Sequence, residues 1–511
     1  MPSTPTRVAV RLAGICKRFG AVAANADVNL SIAAGTVHGI VGENGAGKST
    51  LMSVLYGFYQ ADSGSIEVDG KPALIRNSDD AIGLGIGMVH QHFMLVDTLT
   101  ALENIMLGAE PHWLLKRADA KVRAALEKLM QDTGLHVKLD ALVGDLPVGD
   151  QQRLEILKAL YRGAKVLILD EPTAVLTPQE TTHLFKVLDH LRSQGTTILL
   201  ITHKLKEVMG LCDCVTVMRA GRVVQEMPIS EASIEGLAEA MVGRKVQMGR
   251  VDDGKQSVGE VLLALRQTQV LDEMQVLRLS DINLELRAGE IVGVAGVSGN
   301  GQSELLDVLS GLLTPTAGEL TLGGRTFTPA AWLDPRTART LGLAHVPEDR
   351  HARAMVMAFA AWESAVLGYD ALPEYNAGGW MNHRAMRSAT AGMMERFDVR
   401  PPNPELGSSK FSGGNQQKLV LARELGQSPK VLLVGQPTRG VDIGAIEFIY
   451  SQLRAMRDAG CAVLVVSSEL DEILVLSNRV IVMNQGRVTG ELAIEDCSEA
   501  KLGLLMTGGG H

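Results

Sequence analysis

The chain has 511 residues, with 49 Lys+Arg against 58 Asp+Glu, and so a formal net charge of −9. That length predicts two to four domains, each able to bury a core. The acidic balance argues against a protein whose main task is to coat nucleic acid, and the 46% hydrophobic and 21% charged content argues against disorder. Aromatics are scarce (4%) and glycines abundant (54), which suits a loop-rich α/β protein whose backbone approaches its ligands closely.

The N-terminal stretch MPSTPTRVAVRLAGICKRFG has no long apolar run before a small-residue cleavage site, so no signal peptide is expected. No uninterrupted apolar run approaches the roughly 18 residues of a membrane span. The five cysteines are scattered and read as free thiols, Cys212 and Cys214 sharing one face of an expected strand.

An apolar strand at Val37–Val41 runs into Gly42-Glu43-Asn44-Gly45-Ala46-Gly47-Lys48-Ser49, followed by Thr50 and a helix. This is the G-x-x-x-x-G-K-[ST] pattern in the strand–loop–helix setting it requires. Successive backbone N–H groups and the helix N-terminus favour phosphate oxygens there. Lys48 is placed to reach the β- and γ-phosphates of a nucleotide, and Ser49 to ligate Mg²⁺. A mostly helical stretch follows over roughly 100–165, then a buried strand, Val166–Leu169, that delivers Asp170 and Glu171 to a sheet edge. There Asp170 would hold Mg²⁺ and Glu171 would take a proton from an attacking water. A further strand, Thr197–Ile201, precedes His203, and VTVMRAGRVV closes this half as strand–turn–strand.

The chain then repeats itself. Residues 28–50 match 282–304, and the segments at 148–160, 166–177 and 198–208 match those at 413–425, 431–442 and 463–473. Strands are again expected at Ile291–Ala295, Val431–Val434 and Ala462–Val466, helices over roughly 355–430, and a closing strand–turn–strand at VIVMNQGRVTG. Two domains, 1–245 and 259–511, follow, joined by a polar linker, 246–258. Apolar strands alternating with helices predict a mainly parallel sheet in each.

The chain resembles the ATP-binding subunits of ABC transporters, in the type with two fused cassettes. The likeness covers nearly the whole chain. It rests on the phosphate loop, Asp170-Glu171, the signature-like Phe411-Ser412-Gly413-Gly414-Asn415-Gln416-Gln417, Gln91 in GMVHQHFML, His203 in ITHKL and Phe19 in KRFG. The resemblance implies tandem P-loop NTPase cassettes, each with a mainly parallel core sheet, an antiparallel β part and a helical subdomain. It implies ATP and Mg²⁺ as ligands, with Phe19 stacking on adenine, Gln91 and His203 acting at the γ-phosphate side, and Ser412, Gly413, Gly414 and Asp442 completing the site of Lys48. It also implies two transmembrane permease subunits, a substrate-binding protein and a peripheral place on the cytoplasmic face of the inner membrane, with no nucleic acid and no span of its own.

Set against the same pattern, the second half is depleted. Gln302 stands for the lysine, Ser303 is followed by Glu304, and Gly435-Gln436 replace the carboxylate pair. Glu348 stands for Gln91, Ser468 for His203 and Glu273 for Phe19, while Pro147 and Thr177 in the first half replace Ser412 and Asp442. The expectation is one hydrolytic site and one degenerate site without phosphate-neutralising ammonium, metal carboxylate or base. GVSGNGQSEL, HVPEDRH and VGQPTRGVDIGA resemble the nucleoside branch of two-cassette importers; the monosaccharide branch (ribose, galactose, xylose) is the alternative. Pro147, in place of a usual serine, and Ala354-Met355, in place of a more typical Gly-Leu, depart from the nucleoside branch. The short linker and depleted second half argue against a ribosome-associated tandem cassette. The stretch HFMLVDTLTALENI is expected to face the permeases. The Met-rich segment from Met355 to Met394, with Trp362 and Trp380, either does the same or is ordinary helix packing.

Overall fold

The structure, a computed structural model, describes residues 7–20, 22–90, 93–108, 119–173, 176, 178–245, 249–250, 258–297, 299–377 and 379–506. It separates into two compact units, 1–246 and 247–511.

Each unit is built on a six-stranded sheet. In the first unit the order is Arg222–Pro228, Cys214–Arg219, Val37–Val41, Thr197–Ile201, Val166–Asp170, Ile86–Val89. Only the outermost Arg222–Pro228 strand runs antiparallel to its neighbour. The central strands VHGIV, VLILD and TILLI are buried at every position, as a parallel sheet covered on both faces demands. The second unit repeats the arrangement with Leu343–Val346, Val431–Gly435, Ala462–Ser467, Ile291–Ala295, Arg479–Asn484 and Arg487–Ala493.

Against this sheet lies a four-stranded antiparallel one: Val22–Ala33, Val8–Phe19, Ser63–Val68, Lys71–Ala73, and in the second unit Leu277–Arg287, Val261–Leu271, Ala317–Leu322, Arg325–Phe327. The apolar faces of the two sheets and of the helix Lys48–Leu55 form one core, from Val10 and Ile15 through Leu51 and Leu55 to Ile168 and Leu199. A helical part completes each unit: Ala101–Met106, Asp119–Thr133 and Val148–Tyr161 in the first, Ala361–Ala365, His383–Arg396 and Gly413–Leu425 in the second.

Two expectations are refined. Cys212 is not on a strand: it ends the helix Leu205–Leu211 and is buried against Gly39, while Cys214 opens the next strand. Burial pushes the Cys212 thiol up, and all five cysteines are free. In the Met-rich segment, Met355, Met386, Met393, Met394 and Trp362 are core residues; only Trp380 (82% exposed) and Met381, on a short hairpin, face outward. Ordinary packing therefore accounts for the methionines of the segment other than Met381. Among the described residues no helix is long and apolar enough to cross a membrane.

Candidate functional site

The loop 42–47 leaves the central strand and turns into the helix Lys48–Leu55. Its glycines answer to space. A Cβ on Gly42 would lie 2.3 Å from the Met218 carbonyl oxygen, and one on Gly47, at φ 96°, would lie 2.2 Å from that of Ala24. Asn25, buried on the neighbouring sheet, pins the loop by donating to the Gly47 carbonyl at 3.0 Å. Gly45 differs: nothing lies within 4 Å of its missing Cβ, and its φ of 82° is what favours glycine there. Asn44 and Gly45 are exposed, Glu43 half-buried, Ala46 buried, and Thr50 sits in the first helical turn.

Lys48 is only 6% exposed, and its Nζ donates to the carbonyls of Gly42 (2.7 Å) and Glu43 (3.1 Å). Burial lowers its pKa, opposed by the carboxylates of Glu171, Asp170 and Glu43. Asp170 ends the buried strand with its Oδ1 3.5 Å from Ser49 Oγ, and burial raises its carboxyl pKa. A hydroxyl and a carboxylate beside a phosphate loop are oxygen donors of the kind Mg²⁺ takes, so the residues present fit that ion.

Glu171 adopts the left-handed region (φ 47°) and anchors its N–H on the Ile201 carbonyl at 2.9 Å. This turn aims its side chain at His203, whose Nδ1 lies 3.0 Å from Glu171 Oε1. The hydrogen bond from His203 holds the Glu171 carboxyl below the ordinary glutamate range, against the effect of burial. The Glu171 carboxylate is thus kept ionised. A residue not foreseen from sequence braces both loops: buried Glu207 accepts from Thr173 Oγ1 (2.5 Å) and Thr202 Oγ1 (3.2 Å). The repeat carries the signal, since Thr438, Ser467 and Glu472 occupy the corresponding positions and Glu472 is again buried.

Phe19 ends its strand opposite Val22, 43% exposed, edge-on to Tyr59 at 5.1 Å. Gln91 and Thr177 lie outside the described residues. Pro147 caps the helix Val148–Tyr161 at φ −55°, the place Ser412 takes before Gly413–Leu425. Its ring removes the backbone donor that Ser412 retains.

In the second unit the signature residues converge with Asp442. A Cβ on Gly414 would meet Asp442 Oδ2 at 3.1 Å, and one on Gly413 the Gly440 carbonyl at 2.8 Å. Asp442 caps its own helix through the Ala445 N–H, and Asn415 donates to Ser412 Oγ at 2.9 Å. Gly301, at φ 101°, keeps the positive φ of Gly47, but Gln302 turns its amide onto the Val297 carbonyl (3.2 Å). Gln436 keeps the strained turn of Glu171 (φ 46°), and its Oε1 accepts from Ser468 Oγ at 3.1 Å. The turn survives; the acid and the imidazole do not. Glu273 lies in an exposed turn, and Glu304 in the first turn of the helix.

The sequence profile of the ABC transporter family matches residues 26–174 and 279–439. The nucleoside import ATP-binding protein NupA of Lactococcus lactis subsp. cremoris is 42% identical over 98% of this chain and 98% of its own. The chain belongs to the ABC transporter family. It is a two-cassette ATP-binding subunit, an ATPase of the class that works with permease components at a membrane. The guanosine import ATP-binding protein NupO of Bacillus subtilis (42%, 98% of this chain, 97% of its own) is similarly close. So is the glucose import ATP-binding protein TsgD13 of Haloferax volcanii (42%, 98% and 96%).

Proposed function

We propose that this ABC subunit drives nucleoside import, and that hydrolysis occurs at the phosphate loop of the first unit. The observation that carries the substrate class is the full-length identity of 42% with relatives named for nucleoside and guanosine import. Gly435-Gln436, in place of a second-half acid pair, agrees with that branch.

The chemistry follows from the first unit. Residues 42–47 and Lys48 bind the triphosphate; Ser49 and Asp170, with Gln91, would hold Mg²⁺, which supplies charge neutralisation at the phosphates. Phe19 takes the adenine face. Glu171 accepts the proton of the attacking water, and His203, 3.0 Å from its Oε1, orients that carboxylate. In the second unit a neutral amide at 436 cannot act as that base. Ser412, Gly413, Gly414 and Asp442 are required for turnover of the ATP bound by Lys48. Two permeases and a substrate-binding protein deliver the solute, and the subunit sits on the cytoplasmic face of the inner membrane.

Monosaccharide import is the second reading, favoured by the equal identity with the glucose relative. Co-purification with the permeases, reconstitution, and uptake of radiolabelled nucleosides against pentoses and hexoses separates them. ATP-dependent nucleoside uptake is expected. Uptake of a hexose or pentose alone would transfer the chain to the sugar reading.

A further inference from the structure

HVPEDRH distinguishes a branch in the sequence, and the chemistry above leaves it without a task. In the structure its last five residues leave the strand Leu343–Val346 as a loop. The loop is pinned at its start, where Glu348 accepts from Ser303 Oγ at 2.5 Å and a Cβ on Gly435 would meet Glu348 Cγ at 2.5 Å. Asp349 then caps the turn Arg350–Ala354, its Oδ1 accepting from the N–H groups of His351 (2.9 Å) and Ala352 (3.0 Å). That turn delivers Arg350 and His351 to the signature.

Arg350 ties two segments together. Its Nη1 donates at 2.8 Å to the carbonyl of Arg439, on the loop that leads to Asp442. Its Nε donates at 3.3 Å to Gln416 Oε1, early in the helix that Ser412 caps. His351 Nε2 lies 2.8 Å from the same amide oxygen. The nitrogen of that amide donates to the Ser408 and Phe411 carbonyls, both at 3.1 Å, so one glutamine also fixes the segment before Ser412. Gly413 belongs to the arrangement. A Cβ there would lie 2.7 Å from Arg350 Nη2 and 2.8 Å from the Gly440 carbonyl oxygen, so the guanidinium and the loop close over a bare backbone.

The first unit supplies the contrast. Gln151 makes the same donor contacts, with the Val143 and Leu146 carbonyls at 3.2 and 3.1 Å. Phe93 and Met94, however, stand where the second unit has Arg350 and His351, and Val148 stands for Gly413. Neither Phe nor Met carries a side-chain donor. The unit whose signature helix opens with Pro147 lacks the clamp, and the unit that keeps Ser412 and Gly413 has it.

We propose that Arg350 is a positioning residue for ATP turnover: by joining the Asp442 loop to the signature helix, it holds Ser412, Gly413, Gly414 and Asp442 as one pre-formed group. The inference rests on the reading that these residues serve the ATP bound by Lys48, and adds the side chain that keeps them in register. Donors fixed in advance need no reorganisation at the moment of reaction. The planar guanidinium holds two acceptors at a set angle, which an ammonium does not. Because Arg350 acts through its neighbours, its loss belongs in kcat, while ATP affinity stays with the first phosphate loop.

The test measures steady-state phosphate release across ATP concentrations by the full-length chain, as Arg350→Met, Arg350→Lys, Ser412→Ala and the Arg350→Met, Ser412→Ala double variant. Arg350→Met is expected to lower kcat about tenfold or more, the worth of hydrogen bonds from a charged group, with KM for ATP within about twofold of wild type. Arg350→Lys should recover part of the loss. The double variant should be within about twofold of Ser412→Ala, because one residue acts through the other. A merely destabilised protein would multiply the two losses, and thermal melts read stability separately. If Arg350→Met melts well below wild type, Arg350→Lys takes its place in the comparison, with a smaller loss and the same non-additivity expected. Full kcat without Arg350 beside a slow Ser412→Ala overturns this proposal alone, as do multiplied losses or a loss confined to KM. Full kcat in Ser412→Ala overturns the signature reading, and this proposal with it.

Discussion

At the residue scale, the decisive contrast is between Glu171 and Gln436. Both sit in the same left-handed turn, both anchor on a carbonyl of the neighbouring strand, Ile201 or Val466, and both face the residue two positions after that anchor, His203 or Ser468. A backbone in that region costs on the order of 1–3 kcal/mol for a non-glycine residue. Its persistence in the second unit shows that the turn belongs to the fold, and that only the side chain decides chemistry. Glu171→Gln is therefore expected to fold normally and to lose about 10²–10⁴-fold in turnover, the usual worth of a general base, checked by steady-state phosphate release. His203 offers a finer test. Its hydrogen bond lowers the Glu171 pKa, so the carboxylate stays ionised as pH falls below the ordinary glutamate value. Removing it in His203→Ala should move the acidic limb of the kcat profile upward in pH as well as reducing kcat. A reduced kcat with an unmoved acidic limb would mean that His203 serves the reaction in another way.

At the scale of elements, the internal repeat supplies its own mutational controls. His38 and Thr216, on adjacent strands of the first core sheet, are buried and hydrogen-bonded at 2.8 Å; the second unit has Val292 and Ile481 at these places. Burial depresses the His38 pKa from 6.5 to about 4, so the native ring is neutral while the unfolded one takes up a proton below about pH 6.5. The unfolded state then binds more protons, and stability falls as pH drops from about 6.5 towards 4, by up to about 3 kcal/mol from this one group. Either single change, His38→Val or Thr216→Ile, leaves a buried polar partner unpaired and should cost about 1–3 kcal/mol at pH 7. The double variant, which copies the other unit, should recover most of that and melt with weaker acid sensitivity; thermal melts at pH 7 and pH 5 measure both effects. The same scale shows what a sequence discloses. Val37–Val41 and Thr197–Ile201 were readable because a doubly covered strand is apolar throughout. The long antiparallel strands were not, because bulges between Leu12 and Lys17, and again between Leu265 and Val270, break their alternation. The contacts of Glu348 were unreadable for a related reason. Position by position it is a lost glutamine, and its partnership with Ser303 and Gly435 exists only once three separate segments are folded together.

At the scale of the whole molecule, the two units are unequal in opposite ways. The first holds the ammonium, the carboxylate pair and the imidazole but begins its signature helix with Pro147. The second has lost those groups but begins its signature helix with Ser412, an exposed hydroxyl that makes no cap within its own helix. If Ser412 serves the turnover proposed above, its change must act as a change at the Lys48 loop would. Ser412→Ala is expected to fold as wild type and to lower turnover about 10–10²-fold, the worth of one hydrogen bond to a charged phosphate. Combined with Glu171→Gln it should add little, because groups that serve one transition state are not additive. Pro147→Ser, the mirror change, should leave turnover within about twofold, since it touches none of Lys48, Glu171 and His203, the groups proposed above to turn ATP over. Phosphate release by the four proteins, measured side by side, decides the matter: equal losses from Ser412→Ala and from restoring Pro147 to serine, or additive losses with Glu171→Gln, would mean that each unit works alone.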